Sequence, residues 1–471
     1  MGLSETTSPK DRIMSRREIE GLIADGRSII IVNQKVLKAD LWLPYHPGGH
    51  KPIQHMVGKD ATDEITVSSG SDLETQNALT FLDSQTKAEI DRDLAKYPSL
   101  DALTQEEIIR KYRDLNERIQ AEGLYNCNYA SYAWEAARCI SIFVTMLFFL
   151  QIGWYCTSGA VLGVFWSQLV FAAHDAGHMG ITHNYNIDTM IGMILAAPIG
   201  GLSLGWWKRT HNVHHIVTNS PEHDSDNQHL PFLAVNHRFL GNIFSTYYER
   251  LLPYDAVAKF LIPYQAYTYY PVLTFGRFNL YVQSWIFLIQ GQGPRKGLAW
   301  WHRWFEITGN LVFWLWFGYG IVYKSIPGIW NRFAFVMISH MVTLPLHVQF
   351  TLSHFAMSTA DLGPNESFPQ KMLRTTMDID CPEWLDFFHG GLQFQAIHHL
   401  FPRIPRHNLR RVQNMVLEFC NDVNIPYALY GFVEGNKEVV GSLAEVSRQA
   451  AILAQCQRTI AERGDLLHGH Y

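Results

Sequence analysis

Hydrophobic and polar positions divide the chain into two unlike parts. Through residue 130 polar and charged residues dominate, whereas residues 139–360 carry long apolar runs and most of the Trp, Phe and Tyr. Within the polar part, "SRREIEGLIADG" predicts a short helix closing at Gly26, and "RSIIIVNQKVLKA" predicts two short strands about an Asn33-Gln34 turn. Residues 15–67 thus read as a small α+β unit. Residues 68–98 are polar without a clear period and read as linker. "LTQEEIIRKYRDLNERIQAEG" predicts a helix with a capping-box pattern at Thr104 and Glu107. Ile108, Tyr112, Leu115 and Ile119 fall on one face of it, fit to pack on the protein or a membrane surface.

A helix that crosses a bilayer needs about 20 apolar residues. "CISIFVTMLFFLQIGWYC" (139–156) and "GAVLGVFWSQLVFAA" (159–173) form one predicted hairpin of spans, and 305–323 with 333–355 form a second. The stretch 187–207 is apolar but broken by Pro198 and glycines, and 269–289 contains Arg277; both read as interfacial or re-entrant. Four spans leave both termini on one side. Lys208, Arg209, Arg295, Lys296, Arg303, Arg403, Arg406, Arg410 and Arg411 fall on that side, with Lys324 and Arg332 opposite, so the positive-inside rule makes it cytosolic.

Composition adds little to this division. The net charge of −5 gives no support for nucleic-acid binding. The six cysteines are scattered without a CxxC pair, as suits a reducing face. The first twelve residues lack the apolar core of a secretory signal peptide.

The 22 histidines change the picture, because several are clustered. "HDAGH" holds His174 and His178; "HNVHH" holds His211, His214 and His215; "QAIHH" holds Gln395, His398 and His399. On helices, spacings of three and four bring such imidazoles to one face. Imidazole suits iron, copper, zinc and nickel. The clusters supply seven histidines, and His354 at the end of the last predicted span makes eight, or four for each of two ions. Carboxylate di-iron sites draw on Glu-rich helices, so a histidine-rich di-iron centre is the expectation here. His183, His223, His340, His347 and His389 are read as structural or supporting. Asp175, Asp224 and Asp226 are placed to accept from the far nitrogen of a ligating imidazole, with exposed charge the competing reading for Asp224 and Asp226.

These three clusters in this order, with "HDAGHMGITHNY", "THNVHHIVTNSPEHDSD" and "WLDFFHGGLQFQAIHHLFPRIPRHNLR" (384–410), resemble the membrane front-end desaturases fused to cytochrome b5. The wording is most similar to fungal sphingolipid Δ8-desaturases. The resemblance runs from about Ser15 to about residue 430. It implies a mostly α membrane protein of the endoplasmic reticulum, with an incomplete cytochrome b5-like α+β domain at 15–70. A linker and amphipathic helix (71–135), a four-span desaturase domain with a cytosolic di-metal cap (136–430) and a C-terminal helical tail (431–471) would follow. It implies two iron ions on the clustered histidines, with Gln395 at the family's variant position, and O2-dependent desaturation of the long-chain base of ceramide or another sphingolipid. Electrons would come from NADH through a reductase and cytochrome b5. No acid or base on a protein removes a proton from an alkyl chain, so a cofactor must supply the oxidising power.

"HPGGHKPIQHMVGKDATDEI" resembles the cytochrome b5 haem-binding core, with His46 as one axial ligand. Low-spin electron-transfer haem takes a second ligand from the opposite face. Its place falls near Ser69 and Gly70, and no histidine stands there. Three readings remain open: a degenerate domain served by a separate cytochrome b5, a local deletion in the sequence, or a five-coordinate haem b. For the whole chain, a front-end fatty-acyl desaturase, hydroxylation at the same centre, and a non-catalytic regulatory paralogue stand beside the sphingolipid reading.

Overall fold

The computed structural model describes residues 14–32, 35–40, 43, 51–58 and 80–467, the side chains of 52, 80–84 and 456–467 aside. His46, Ser69 and Gly70 lie outside the described residues.

The N-terminal unit forms as its pattern predicts. Helix α1 (Arg16–Ala24) starts at a Ser15/Glu18 capping box and ends before Gly26, whose φ of +79° suits glycine. Strands β1 (Ile29–Val32) and β2 (Lys35–Lys38) pair antiparallel with Val32 opposite Lys35. Ile30, Ala39, Ile53 and Met56 close a small core against the short helix α2 (Lys51–Gln54).

The stretch read as linker contains helix α3 (Thr80–Lys96). It lacks an apolar stripe because polar bonds hold it: Glu89 accepts from the backbone and hydroxyl of Thr359, and Asp93 pairs with Arg374 at 2.9 Å. Helix α4 (Ala102–Ala121) buries Ile108, Tyr112, Leu115 and Ile119 as expected. Its cap is Asp101, which accepts from Thr104 N at 3.0 Å, not Thr104. The segment between the two expected domains is therefore part of the cap.

Two long antiparallel helices follow, α5 (Tyr129–Gln151) and α6 (Tyr155–Gly177). The turn between them falls at 152–154, with Gly153 at φ +81°, earlier than the apolar run suggests. Helix α7 (Tyr185–Ile194) continues as a π-helix to Ile199 and then bends by 120° into α8 (Leu204–His214), so the apolar stretch 187–207 is broken near Pro198. Helices α9 (Gln265–Thr274) and α10 (Gly276–Gln290) belong to a second bent pair. The stretch 305–323 lies in α11 (His302–Phe313) and a π-helix over Trp314–Ser325. The last apolar run is α12 (Ile329–Met341) and α13 (Leu344–Leu352). Among the described residues three helices are long and apolar enough to cross a membrane (Tyr129–Gln151, Tyr155–Gly177, Ile329–Leu352), or up to five if each bent pair is one span. Their shared core is aromatic, built on Phe165, Trp166, Phe313, Phe317 and Phe335.

The rest of the chain caps one end of these helices. Helices α14 (Phe368–Thr375), α15 (Gln395–Leu400) and α16 (Leu409–Asp422) pack with α4 around Phe394, Ile397 and Phe401. Strand β3 (Asp378–Asp380) pairs in parallel with β4 (Leu429–Gly431), which leads into α17 (Phe432–Leu467). Val439, Leu443 and Val446 of α17 are buried against Ala258, Ile262 and Tyr269, so the expected tail is a core element.

Candidate metal centre

Each histidine cluster is presented by a helix end whose position is fixed from outside. His174 and His178 close α6. Gly177 between them has no Cβ because one would lie 2.1 Å from the Trp207 ring. That close approach lets Trp207 stack on His211 at 4.5 Å, which brings α8 against α6. Ser203 caps α8 through Trp206 N, and Glu306 of α11 accepts from Ser203 Oγ and Gly205 N, both at 2.9 Å. Asp378 of β3 accepts from Ala396 N at 2.7 Å and so anchors the first turn of α15. Asn219, at φ +62°, donates to the backbone oxygens of His354 (2.8 Å) and Thr375 (3.1 Å), which ties the loop after α8 to the end of α13.

These anchors gather the imidazoles into two adjoining groups. His174, His178, His211 and His398 form the first, and His214, His354 and His399 the second; within each, one candidate ligand atom per residue lies within 4.8 Å of the others. His215 belongs to neither group of mutually close ligand atoms. It lies between them, with Nε2 3.0 Å from His211 Nε2 and its ring stacked 4.2 Å from His399. Gln395 Nε2 lies 3.4 Å from His354 Nε2.

The donor set suits a pair of borderline metal ions. Buried polar atoms are nearly always hydrogen-bonded. Here His178 Nε2, His215 Nδ1, His354 Nδ1, Gln395 Oε1, His398 Nε2 and His399 Nε2 are buried without a partner. Burial, and then the neighbouring imidazoles, hold His398 and His399 well below the usual histidine pKa, which keeps their lone pairs free. The far nitrogens have partners: Asp224 takes His214 Nδ1 at 2.8 Å, and Thr218 Oγ1 lies 3.3 Å from His399 Nδ1. Asp226 is 3.7 Å from His211 Nδ1 and Asp175 is 3.5 Å from His174 Nδ1, both looser.

The remaining histidines lie outside both groups. His183 contacts the Tyr125 carbonyl, His223 the Thr246 hydroxyl and His389 the Gln349 amide oxygen, while His340 stacks on Phe278. A cavity of about 720 Å³ runs along the centre, lined by His174, His211, His214, His354, Gln395 and His398 and by many apolar side chains. Asn219 and Asp378 were not singled out from the sequence, since their roles depend on contacts far along the chain.

The N-terminal unit touches this centre from outside. Lys51 of α2 donates to the Thr246 carbonyl at 3.2 Å and pairs with Glu249, and His55 meets the His223 ring edge-on at 5.6 Å.

Comparison with known proteins settles the lineage. The fatty acid desaturase model matches residues 152–431. This chain belongs to the fatty acid desaturase family. The cytochrome b5-like haem/steroid binding domain matches residues 15–113, past the boundary at 70 expected from the sequence. A Delta 8-(E)-sphingolipid desaturase of Emericella nidulans is 53% identical, over 98% of this chain and 99% of the relative. One from Kluyveromyces lactis is 43% identical, over 95% of each. An acyl-lipid (9-3)-desaturase of Borago officinalis is 33% identical, over 89% of this chain and 90% of the relative. The Emericella match extends over 540 positions against the 471 residues of this chain, so that relative carries segments within the match that this chain lacks. Family and apolar helices together make this a membrane protein.

Proposed function

We propose that this chain desaturates the long-chain base of a sphingolipid, ceramide foremost, at the Δ8 position with E geometry. The two adjoining groups of imidazoles, with buried unpartnered nitrogens on His178, His354, His398 and His399, carry the reading, and the named relatives at 53% and 43% identity give it its substrate. His174, His178, His211 and His398 would hold one iron ion. His214, His354 and His399 would hold the other, with Gln395 beside them and His215 between the two. Bound there, the two ions would supply, with O2, the oxidising power that an unactivated methylene requires. The protein's part is to keep His398 and His399 neutral by burial, to fix the rings of His214 and His399 through Asp224 and Thr218, and to hold an alkyl chain dry along the cavity.

On this reading electrons reach the centre from NADH through a reductase and cytochrome b5. The domain at the N-terminus, with His46 as a haem ligand, or a separate cytochrome b5 delivers them. Four spans, an endoplasmic reticulum membrane and cytosolic termini complete the proposal.

Expression in a yeast that makes no Δ8-unsaturated bases tests it, with long-chain bases and fatty acids measured together by mass spectrometry. A new Δ8-unsaturated base is the expected product. A new unsaturated fatty acid with unchanged bases would replace this reading with the acyl one.

A further inference from the structure

Among the described residues, Arg277 is the buried arginine that no carboxylate neutralises. Arg374 is paired with Asp93 and Glu366, and Arg406 with Glu135. Arg277 is equally deep, at 1% exposure, yet has no ion pair among the described residues. Its Nε donates to Tyr281 Oη at 3.0 Å, its Nη2 donates to the Gly200 carbonyl at 2.6 Å, and its plane lies 3.9 Å over the Trp166 ring. These contacts fix the guanidinium and leave Nη1 without a hydrogen bond in the described structure. A buried charge without a counter-charge is costly, so a cation held this way needs a purpose.

His347 stands beside it with the same deficit. Its Nε2 is buried and unpartnered. The ring is held from one side by Gly276, where a Cβ would lie 2.9 Å from the ring's Cγ and Nδ1. Both residues line the cavity that His174, His354 and His398 also line. His347 sits on α13, and His354 lies two residues past the end of that helix. Phe275 and Asn279, at the bend between α9 and α10, line the same cavity and are exposed.

A hydrocarbon chain has no use for a guanidinium and an imidazole. A polar head a few bonds from the reacting carbons does. We propose that Arg277 and His347 form the subsite for the amide and hydroxyl groups of the sphingolipid substrate. Arg277 Nη1 donates to the amide carbonyl oxygen, and the imidazole of His347 bonds a hydroxyl, which a neutral ring serves as donor or acceptor. The distance from this anchor to the histidine centre sets which bond is oxidised. The assignment rests on the sphingolipid reading above.

Binding of a fluorescent ceramide to the purified full chain tests this, together with double-bond position in bases from expressing yeast. Arg277→Met and His347→Gln are each expected to weaken ceramide binding by about tenfold or more, the loss of one hydrogen bond to a charged or buried group. Both should keep wild-type iron content and affinity for a fluorescent alkane that lacks the head. Product from either variant should include bases unsaturated at positions beside Δ8. Should Arg277→Met fail to fold, His347→Gln carries the test. Unchanged ceramide binding with a single Δ8 product in His347→Gln would overturn the subsite while the sphingolipid reading stands. Equal loss for ceramide and alkane would also overturn it, as the role is then one of shape. A wild-type chain that desaturates fatty acyl groups and not bases would overturn both.

Discussion

Asp224 accepts from His214 Nδ1 at 2.8 Å and from Asn219 N at 2.9 Å, with no exposure to solvent. One carboxylate therefore fixes both the tautomer of an imidazole in the centre and the loop that reaches across to His354. Orienting partners of this kind are worth about 10–100-fold in metal affinity. Asp224→Asn should lower iron retention by about that factor while the chain stays folded, because the amide oxygen can still accept from Asn219 N or from the ring. Iron per chain after graded chelation measures it. Asp226→Asn, at a looser 3.7 Å from His211, should lose much less.

His354 separates a two-ion centre from a one-ion centre. It belongs to the second group alone, whereas His178 belongs to the first. His354→Ala is expected to bring iron content from two toward one per chain and to abolish product. His183→Ala, whose ring contacts a backbone carbonyl away from both groups, should keep two. Metal analysis of the three proteins side by side gives the answer, and equal iron in His354→Ala and wild type would remove His354 from the ligand set.

The histidine clusters were legible in the sequence because their spacing is local: a helix brings positions three or four apart to one face. Counting ligands added His354, which the structure places beside His214 at 4.6 Å between ring centroids. Helix α3 was not legible, since its partners Thr359 and Arg374 lie more than 260 residues away and its own pattern has no apolar face. Periodicity saw the buried face of α4 but not its cap, because Thr104 and Asp101 are both capping residue types and the pattern alone does not fix the first turn. The standing of His215 was also hidden. Adjacent histidines on a helix point about 100° apart, so His214 and His215 face different neighbours, and sequence does not say which of them falls between the two groups.

Asp378 is the test of positioning at a distance. Its buried carboxyl is pushed up to about 7 by desolvation, and it accepts from Ala396 N, Gln413 and the Tyr427 hydroxyl. Removing it leaves these donors unsatisfied in the cap. Asp378→Ala should cost about 1–3 kcal/mol and loosen α15, with partial loss of iron. Asp378→Asn keeps an oxygen for Ala396 N and should lie close to wild type in stability. Thermal unfolding followed with iron release distinguishes the two variants. Equal stability for Asp378→Ala and wild type would remove the anchor from the account of how His398 and His399 are held.

If the N-terminal unit delivers the electrons, as one form of the proposal has it, its contact with the cap is where they would enter. Lys51 is buried, pairs with Glu249 and donates to the Thr246 carbonyl, and its helix leads on to His55 against His223. The tie therefore seats the N-terminal unit over the loop that follows α8. Two substitutions probe it without touching the histidine centre. Lys51→Glu sets two carboxylates together and should unseat the unit, while the double variant Lys51→Glu with Glu249→Lys restores opposite charges. Turnover driven by NADH, reductase and cytochrome b5 should fall in the single variant and recover in part in the double one. A small chemical reductant bypasses the interface, so turnover driven by it should be the same in all three proteins. Equal NADH-driven rates in wild type and Lys51→Glu would mean that this contact is structural and that electrons arrive by another face.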